Sequence, residues 1–118
     1  MSYSIDKDNN ITLTRGDTFE TDITLERGED PYVPVEGDVI SFAVKHNKLL
    51  KDKSDYEDKE PLILKYVPID TMTLVIDPED TKNLAFGKYV YDMQIEFANG
   101  KVDTFIEEKI FELTKEVH

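Results

Sequence analysis

Few residues in this 118-residue chain have the types and spacing that chemistry needs. There are two histidines, His46 at the end of an apolar-alternating run and His118 at the last position. Neither has a second histidine at metal spacing or a serine nucleophile motif beside it, so His46 reads as a solvated strand-end side chain. There is no cysteine, which excludes disulfides, thiolate metal sites and thiol nucleophiles, and fits folding in a reducing cytoplasm. Asp6-Lys7-Asp8-Asn9-Asn10 places oxygens at alternate positions, like the start of a calcium-binding EF-hand loop. That loop then requires a glycine where Ile11 stands and a glutamate where Asp17 stands, with flanking helices, so an EF-hand is rejected. Arg15-Gly16-Asp17 matches the integrin-binding tripeptide, but glycine between two strands already has a structural reason, a sharp turn or bulge. The acids from Asp52 to Glu60 are interleaved with lysines, which opposes cation binding. No glycine-rich phosphate loop and no basic stripe with interleaved aromatics is present. These absences point away from an enzyme and imply no cofactor and no metal.

The bulk composition agrees. Twenty-six acidic against fourteen basic residues give a net charge of −12, a field that repels nucleic acid and anionic membranes. Partners are therefore expected to be neither. The amino terminus lacks the basic start and apolar stretch of a signal peptide, and no apolar run approaches membrane-spanning length. One domain over 1–118 is expected, since a chain of this size holds one core and shows no repeat or linker.

The elements follow from a period of two. A short strand is expected at Ile11 to Thr14. Thr18 to Glu26 follows, with Phe19, Thr21, Ile23 and Leu25 on one face and acids and threonine on the other. Tyr32 and Val33 add a short edge segment. Asp38 to His46 buries Ile40, Phe42 and Val44, and the charged stretch 47–60 reads as a flexible loop. Leu62 to Val67 and Met72 to Asp77 are the fourth and fifth strands. Asp77-Pro78-Glu79-Asp80 is a helix start, with an Asp N-cap, proline at the first position and acids in the first turn; Gly87 limits the helix to a turn or two.

Gly87 to Ala98 is the strongest strand, with Tyr89, Tyr91, Met93, Ile95 and Phe97 inward. Asn99-Gly100 predicts a two-residue hairpin loop into a strand from Lys101 to about Lys115. That loop pairs Phe97 with Val102, Ile95 with Thr104 and Met93 with Ile106. One extra residue near Glu107-Glu108 sets Tyr89 opposite Phe111, which predicts a β-bulge there and keeps Phe111 and Leu113 inside. In this register Phe105 opposes Gln94 on the outer face. With Val75 and Val90 it forms a set of outward apolar positions that are candidate interface residues.

Seven strands and one helical turn between the fifth and sixth describe an all-β, immunoglobulin-like β-sandwich. Gly87, Tyr89 and Tyr91 mark its corner. Tyr89 stands where such domains have a tyrosine whose hydroxyl bonds back to the preceding turn, and Tyr91 stands where antibody domains have a cysteine. The chain departs from antibody domains in lacking tryptophan and cysteine.

Three segments resemble a known family: Asp70-Thr71-Met72-Thr73-Leu74-Val75-Ile76-Asp77-Pro78-Glu79-Asp80-Thr81-Lys82-Asn83-Leu84 running into Gly87-Lys88-Tyr89-Val90-Tyr91-Asp92; the close Ala98-Asn99-Gly100-Lys101-Val102-Asp103-Thr104-Phe105-Ile106; and Leu13-Thr14-Arg15-Gly16-Asp17-Thr18-Phe19. Together they are similar to small immunoglobulin-like β-sandwich domains of phages and prophages of Gram-positive bacteria. They also resemble the amino-terminal domains of phage baseplate upper proteins. The resemblance implies a virion component of tail, neck or baseplate, made in the host cytoplasm and acting by assembly with other virion structural proteins or with itself. It carries no catalytic residues. The alternative is a carbohydrate- or cell-surface-binding module, with or without the assistance of calcium, using residues 47–60 with Tyr56 as a stacking platform. A metal-dependent enzyme is the weakest of the three.

Overall fold

The computed structural model describes residues 3–27, 29–46 and 61–115. The expected loop 47–60 lies outside them. Among the described residues there are ten strands and one helix: β1 (Tyr3–Ile5), β2 (Ile11–Thr14), β3 (Phe19–Asp22), β4 (Leu25–Arg27), β5 (Asp30–Tyr32), β6 (Val39–His46), β7 (Ile63–Val67), β8 (Thr73–Ile76), α1 (Pro78–Thr81), β9 (Gly87–Glu96) and β10 (Val102–Thr114). The protein is all-β. The count of seven is corrected to ten by three strands: β1, the division of one expected strand into β3 and β4, and β5, which forms at the short edge segment expected around Tyr32. The expected strand from Thr18 to Glu26 is interrupted after Asp22: the Ile23 N–H still donates to the Met72 carbonyl at 2.7 Å in the β3–β8 register, but Met72 has φ 55° and its own N–H donates to Pro68, so the partner strand turns away there and β4 pairs with β5 instead. Tyr3–Ile5 adds an antiparallel strand against β2, held by the Tyr3 hydroxyl donating to the Glu20 carbonyl at 2.8 Å and by ring contact with Phe19.

The larger sheet has the order β1-β2-β10-β9-β6-β7. All its neighbours are antiparallel except β2 and β10, which run parallel from Ile11 opposite Phe111 to Thr14 opposite Thr114. The β3–β8 ladder and the β4–β5 hairpin are separate. Phe19, Leu74 and Ile76 of β3 and β8 bury fully into one cluster with Ile40, Phe42, Val44, Tyr91, Met93, Ile95, Phe111 and Leu113 of the larger sheet. The core therefore lies between the two, as alternating strands with one apolar face require.

The β9–β10 register differs from the expected one in an informative way. The turn has three residues, not two: the Phe97 carbonyl accepts from Gly100, the Phe97 N–H donates to Lys101, and Gly100 sits at φ 90°. This is a turn closed by a left-handed glycine, which Asn-Gly also suits. It starts the ladder one residue out of the expected step, with Ile95 opposite Asp103 and Gln94 opposite Thr104. Two irregularities then follow instead of one. Phe105 is an extra residue before Ile106 pairs with Met93, and a second lies between Ile106 and Lys109, where Glu108 has φ 45°. Beyond them Phe111 lies opposite Tyr89, as expected, and the ladder runs on to Leu113 opposite Gly87.

A second left-handed glycine, Gly37 at φ 99°, closes the turn from Val35 to Asp38. A Cβ there would stand 2.8 Å from the Ala98 Cβ. The close approach lets the buried Asp38 carboxylate gather three donors: the Tyr32 hydroxyl at 2.6 Å, Val35 N–H at 3.0 Å and Ala98 N–H at 3.1 Å. The Tyr32 hydroxyl above all, then the Val35 amide, hold that carboxyl below its ordinary pKa. Gly37→Ala should combine backbone strain with the Ala98 clash and lower stability by about 1–3 kcal/mol in urea denaturation; an unchanged midpoint would refute this reading of the turn.

Candidate functional site

The corner before β9 is built from residues far apart in sequence. The Asp80 carboxylate accepts the Asp77 N–H at 2.8 Å, and Asp77 and Asp80 also hold Lys65 at 3.3 and 2.9 Å. Asp80 above all raises the Lys65 pKa. The helix is one turn long, and Gly87 opens β9 just beyond it. The Tyr89 hydroxyl donates to the Ala85 carbonyl at 2.7 Å. From the other end of the chain, Arg15 donates to the Leu84 carbonyl at 3.2 Å and stacks 4.1 Å over the Phe86 ring, while the Gly16 N–H donates to the buried Thr81 hydroxyl at 3.0 Å. Arg15-Gly16-Asp17 is thus folded onto the corner, with its guanidinium engaged inside the domain.

Tyr91, one step further along β9, is buried and donates to the Asn9 carbonyl. The Asp6–Asn10 segment beneath it is a closed turn. The Asp6 carboxylate accepts from the Asp8 and Asn10 amides, both at 2.9 Å, and from the Asn10 side chain at 3.1 Å. These bonds, Asn10's first, lower the Asp6 pKa. Asn10 in turn caps the Ile110 N–H at 3.0 Å. Among the described residues no group of three or more His, Asp or Glu side chains is placed to hold a metal ion.

The three expected interface residues do not share one surface. Val75 lies beside Glu20 on the β3–β8 ladder and is partly buried. Val90 lies between Lys45 and Ile110 on the larger sheet, also partly buried. Phe105 does not oppose Gln94, whose partner is Thr104. As the extra residue of a bulge it is partly buried against the core cluster. The reason is the longer turn, which shifts the register by one and moves Phe105 off the outer face.

Two surfaces stand out. The first is the outer face of the larger sheet. Its central cross-strand row, Tyr66–Ser41–Gln94–Thr104, carries no charge. Leu64, Ala43 and Asp92 lie on one side of it, and Val39, Glu96 and Val102 on the other. Tyr66 is 62% exposed, Val102 54%, Leu64 47% and Val39 41%. The second is the open seam between the β3–β4 run and the hairpin half of β10. A groove of about 420 Å³ is lined by Ile5, Ile23, Leu25, Phe105 and Ile106 with Asp22 and Glu26. One of about 330 Å³ continues past Leu25, Glu26 and Phe105 to Tyr32, Lys101 and Asp103.

Sequence reading missed Thr81, Arg15 and Tyr3 because each acts on a partner distant in the chain, and Asp38 because its local donors Tyr32 and Val35 are joined by the distant Ala98. Only the Gly37-Asp38 turn gave a local signal. Comparison with protein-family models, curated proteins and solved structures finds no match to this chain.

The corner makes two measurable demands. Tyr89→Phe removes one hydrogen bond and should cost about 1 kcal/mol in urea denaturation, with no change in secondary structure. Burial first, and Asp6 second, push the Tyr91 phenol up to about 12 from 10.0. The unfolded chain then loses that proton first as pH rises, so stability declines from about pH 10 and this contribution is gone once the folded phenol ionises near 12. Thermal melts across that window should show the decline, and Tyr91→Phe should flatten it; an identical decline in the variant would assign it elsewhere.

Proposed function

We propose that this chain is an immunoglobulin-like β-sandwich serving as a non-enzymatic structural or adaptor component of a bacteriophage or prophage particle, in its tail, neck or baseplate. The fold assignment is supported by the strand order β10-β9-β6-β7 facing β3–β8, by β2 running parallel to the end of β10, and by the Tyr89 hydroxyl bonded to Ala85 at the corner. The virion assignment is supported by the resemblance carried by residues 70–95, 98–106 and 13–19. The domain acts by protein–protein assembly in a virion made in the host cytoplasm, with other virion proteins or itself as partners.

The observation that carries the assembly reading is the outer face of the larger sheet. One residue in three of this chain is charged, yet a row four strands wide bears no charge, and exposed Leu64, Val39 and Val102 stand in the rows beside it, with Asp92 and Glu96 between strands there. Depletion of charge and enrichment in aromatics mark the core of protein interfaces, and Tyr66 stands at the β7 end of this row. Singly exposed apolar residues are ordinary on any surface; their alignment across neighbouring strands is the signal. The glycan-binding alternative rests on Tyr56 and residues 47–60, outside the described residues.

Density-purified particles from the source bacterium should contain this chain at fixed stoichiometry by quantitative mass spectrometry, and its absence from them would overturn the proposal. Replacing Leu64 and Tyr66 together by glutamate should alter stability by only about 0.5 kcal/mol while abolishing incorporation into particles. Normal incorporation of the double variant would exclude this face as the docking surface.

A further inference from the structure

The seam beside β10 has a property that the outer face lacks: an open hydrogen-bonding edge. Among the described residues β2 accompanies β10 only from Phe111 to Thr114, and no strand pairs with that side from Val102 to Lys109. The direction of the free groups follows from the turn. Phe97 and Lys101 are a hydrogen-bonded pair. Antiparallel pairs alternate, so Ile95–Asp103 is bonded, while Glu96–Val102 and Gln94–Thr104 are not. The N–H and C=O groups of Val102 and Thr104 therefore point away from β9, along the seam. From Lys101 to Ile106 the edge is roughly 17 Å long, enough for about five extended residues.

The side chains on the seam have a definite chemistry. Asp103 opposes the buried Ile95, so it is a carboxylate on the core side of an edge strand. Two residues on is Phe105, partly buried in the groove wall. Asp22 and Glu26 line the opposite wall, and among the described residues Lys101 is the one basic residue lining either groove. An inward charge on an open edge opposes pairing with a second copy, because acid would meet acid. The same charge favours a strand that brings a cation.

We propose that the seam receives an extended segment of a different protein, paired to the β10 edge, with a Lys or Arg facing Asp103 and, two positions away, an apolar side chain against Phe105 and Leu25. The proposal deepens the assembly reading and rests on it. The added strand gains backbone hydrogen bonds at Val102 and Thr104, and its specificity comes from the alternate side chains.

The test uses the full chain, nitrogen-labelled for NMR, and the peptide acetyl-Thr-Val-Thr-Lys-Thr-Val-Thr-amide. Saturable shifts of the Val102 and Thr104 amides are expected, weakening with salt. The peptide with glutamate in place of lysine should bind about tenfold more weakly at low salt. Asp103→Lys should reverse that preference. Thr104→Pro removes an N–H that the β9 ladder does not use, so the chain should fold, as checked by its melting curve, and lose binding. Absence of saturable shifts, equal binding of the two peptides, or shifts confined to the outer face around Tyr66 would overturn the proposal. So would self-association in light scattering that Thr104→Pro abolishes, since the occupant would then be a second copy. Incorporation into particles is read separately, so a failed peptide titration leaves the assembly reading standing, and absence from particles does not mimic a failed titration.

Discussion

The structure depends on β9. It is the strand with long partners on both sides, β6 from Val39 to His46 and β10 along most of its length. Its inward residues Tyr89, Tyr91, Met93 and Ile95 are all buried. With a period of two, a one-residue slip against either neighbour would turn the neighbour's apolar residues to solvent. β6 meets this demand without interruption, placing Ile40, Phe42 and Val44 opposite Ile95, Met93 and Tyr91. β10 meets it with two extra residues. The three-residue turn sets one register, the burial of Phe111 and Leu113 sets another, and the two differ by two residues over the length of the strand. The bulges absorb that difference. They also twist the strand and, by placing Phe105 and Ile106 both against the core, create the wall of the seam.

The sheet's exposed edges are managed by the same economy of means. β7 ends the larger sheet, and its central Lys65 is drawn to the acids of α1. The hairpin half of β10 carries Asp103 on its core side. In each case a charge sits where an edge-to-edge copy would need an apolar residue. The difference is in neutralisation. Lys65 has its carboxylates within the domain, and they tie β7 to the turn that starts β9. Asp103 shares its groove with further acids, Glu26 and Asp22 among the lining of the seam. One edge is closed by an internal ion pair, whereas the other is left selective.

The sequence made legible those features whose physics is local. The alternation of β9, the cap of α1, the boundaries of β6 to β8 within a residue or two, and the meeting of Tyr89 with Phe111 all follow from period, capping and parity. Asn99-Gly100 announced a hairpin but not its length, because glycine after asparagine suits a two-residue turn and a three-residue turn with a bulge equally well. That ambiguity misplaced Phe105, and with it one candidate contact. The break after Ile23 was hidden because the apolar alternation continues through it to Leu25, while the ladder ends in the partner strand, where Met72 turns away at φ 55°. Tyr3, Arg15 and Asp38 were illegible for the same reason: each is defined by a carbonyl or amide brought near by the fold, at Glu20, Leu84 and Ala98.

The distribution of charge gives the molecule two unlike outer faces. On the β3–β8 ladder, Glu20 and Asp22 face solvent beside Val75 and Thr73, and the Thr73 hydroxyl donates to Asp22 at 2.9 Å. With a net charge of −12, copies approaching through that side meet like charge within a Debye length. The larger sheet presents its neutral row in the opposite direction, and the charges that remain there are partly paired, as Lys45 with Asp92 at 3.8 Å. That face is not free of acid either: Asp92, Glu107 and Glu108 surround Thr104 at one end of the row, and Glu96 lies between Val39 and Val102. The seam opens beside these two faces, where the β10 edge from Val102 to Lys109 has no partner strand among the described residues and acid is the prevailing charge of its lining.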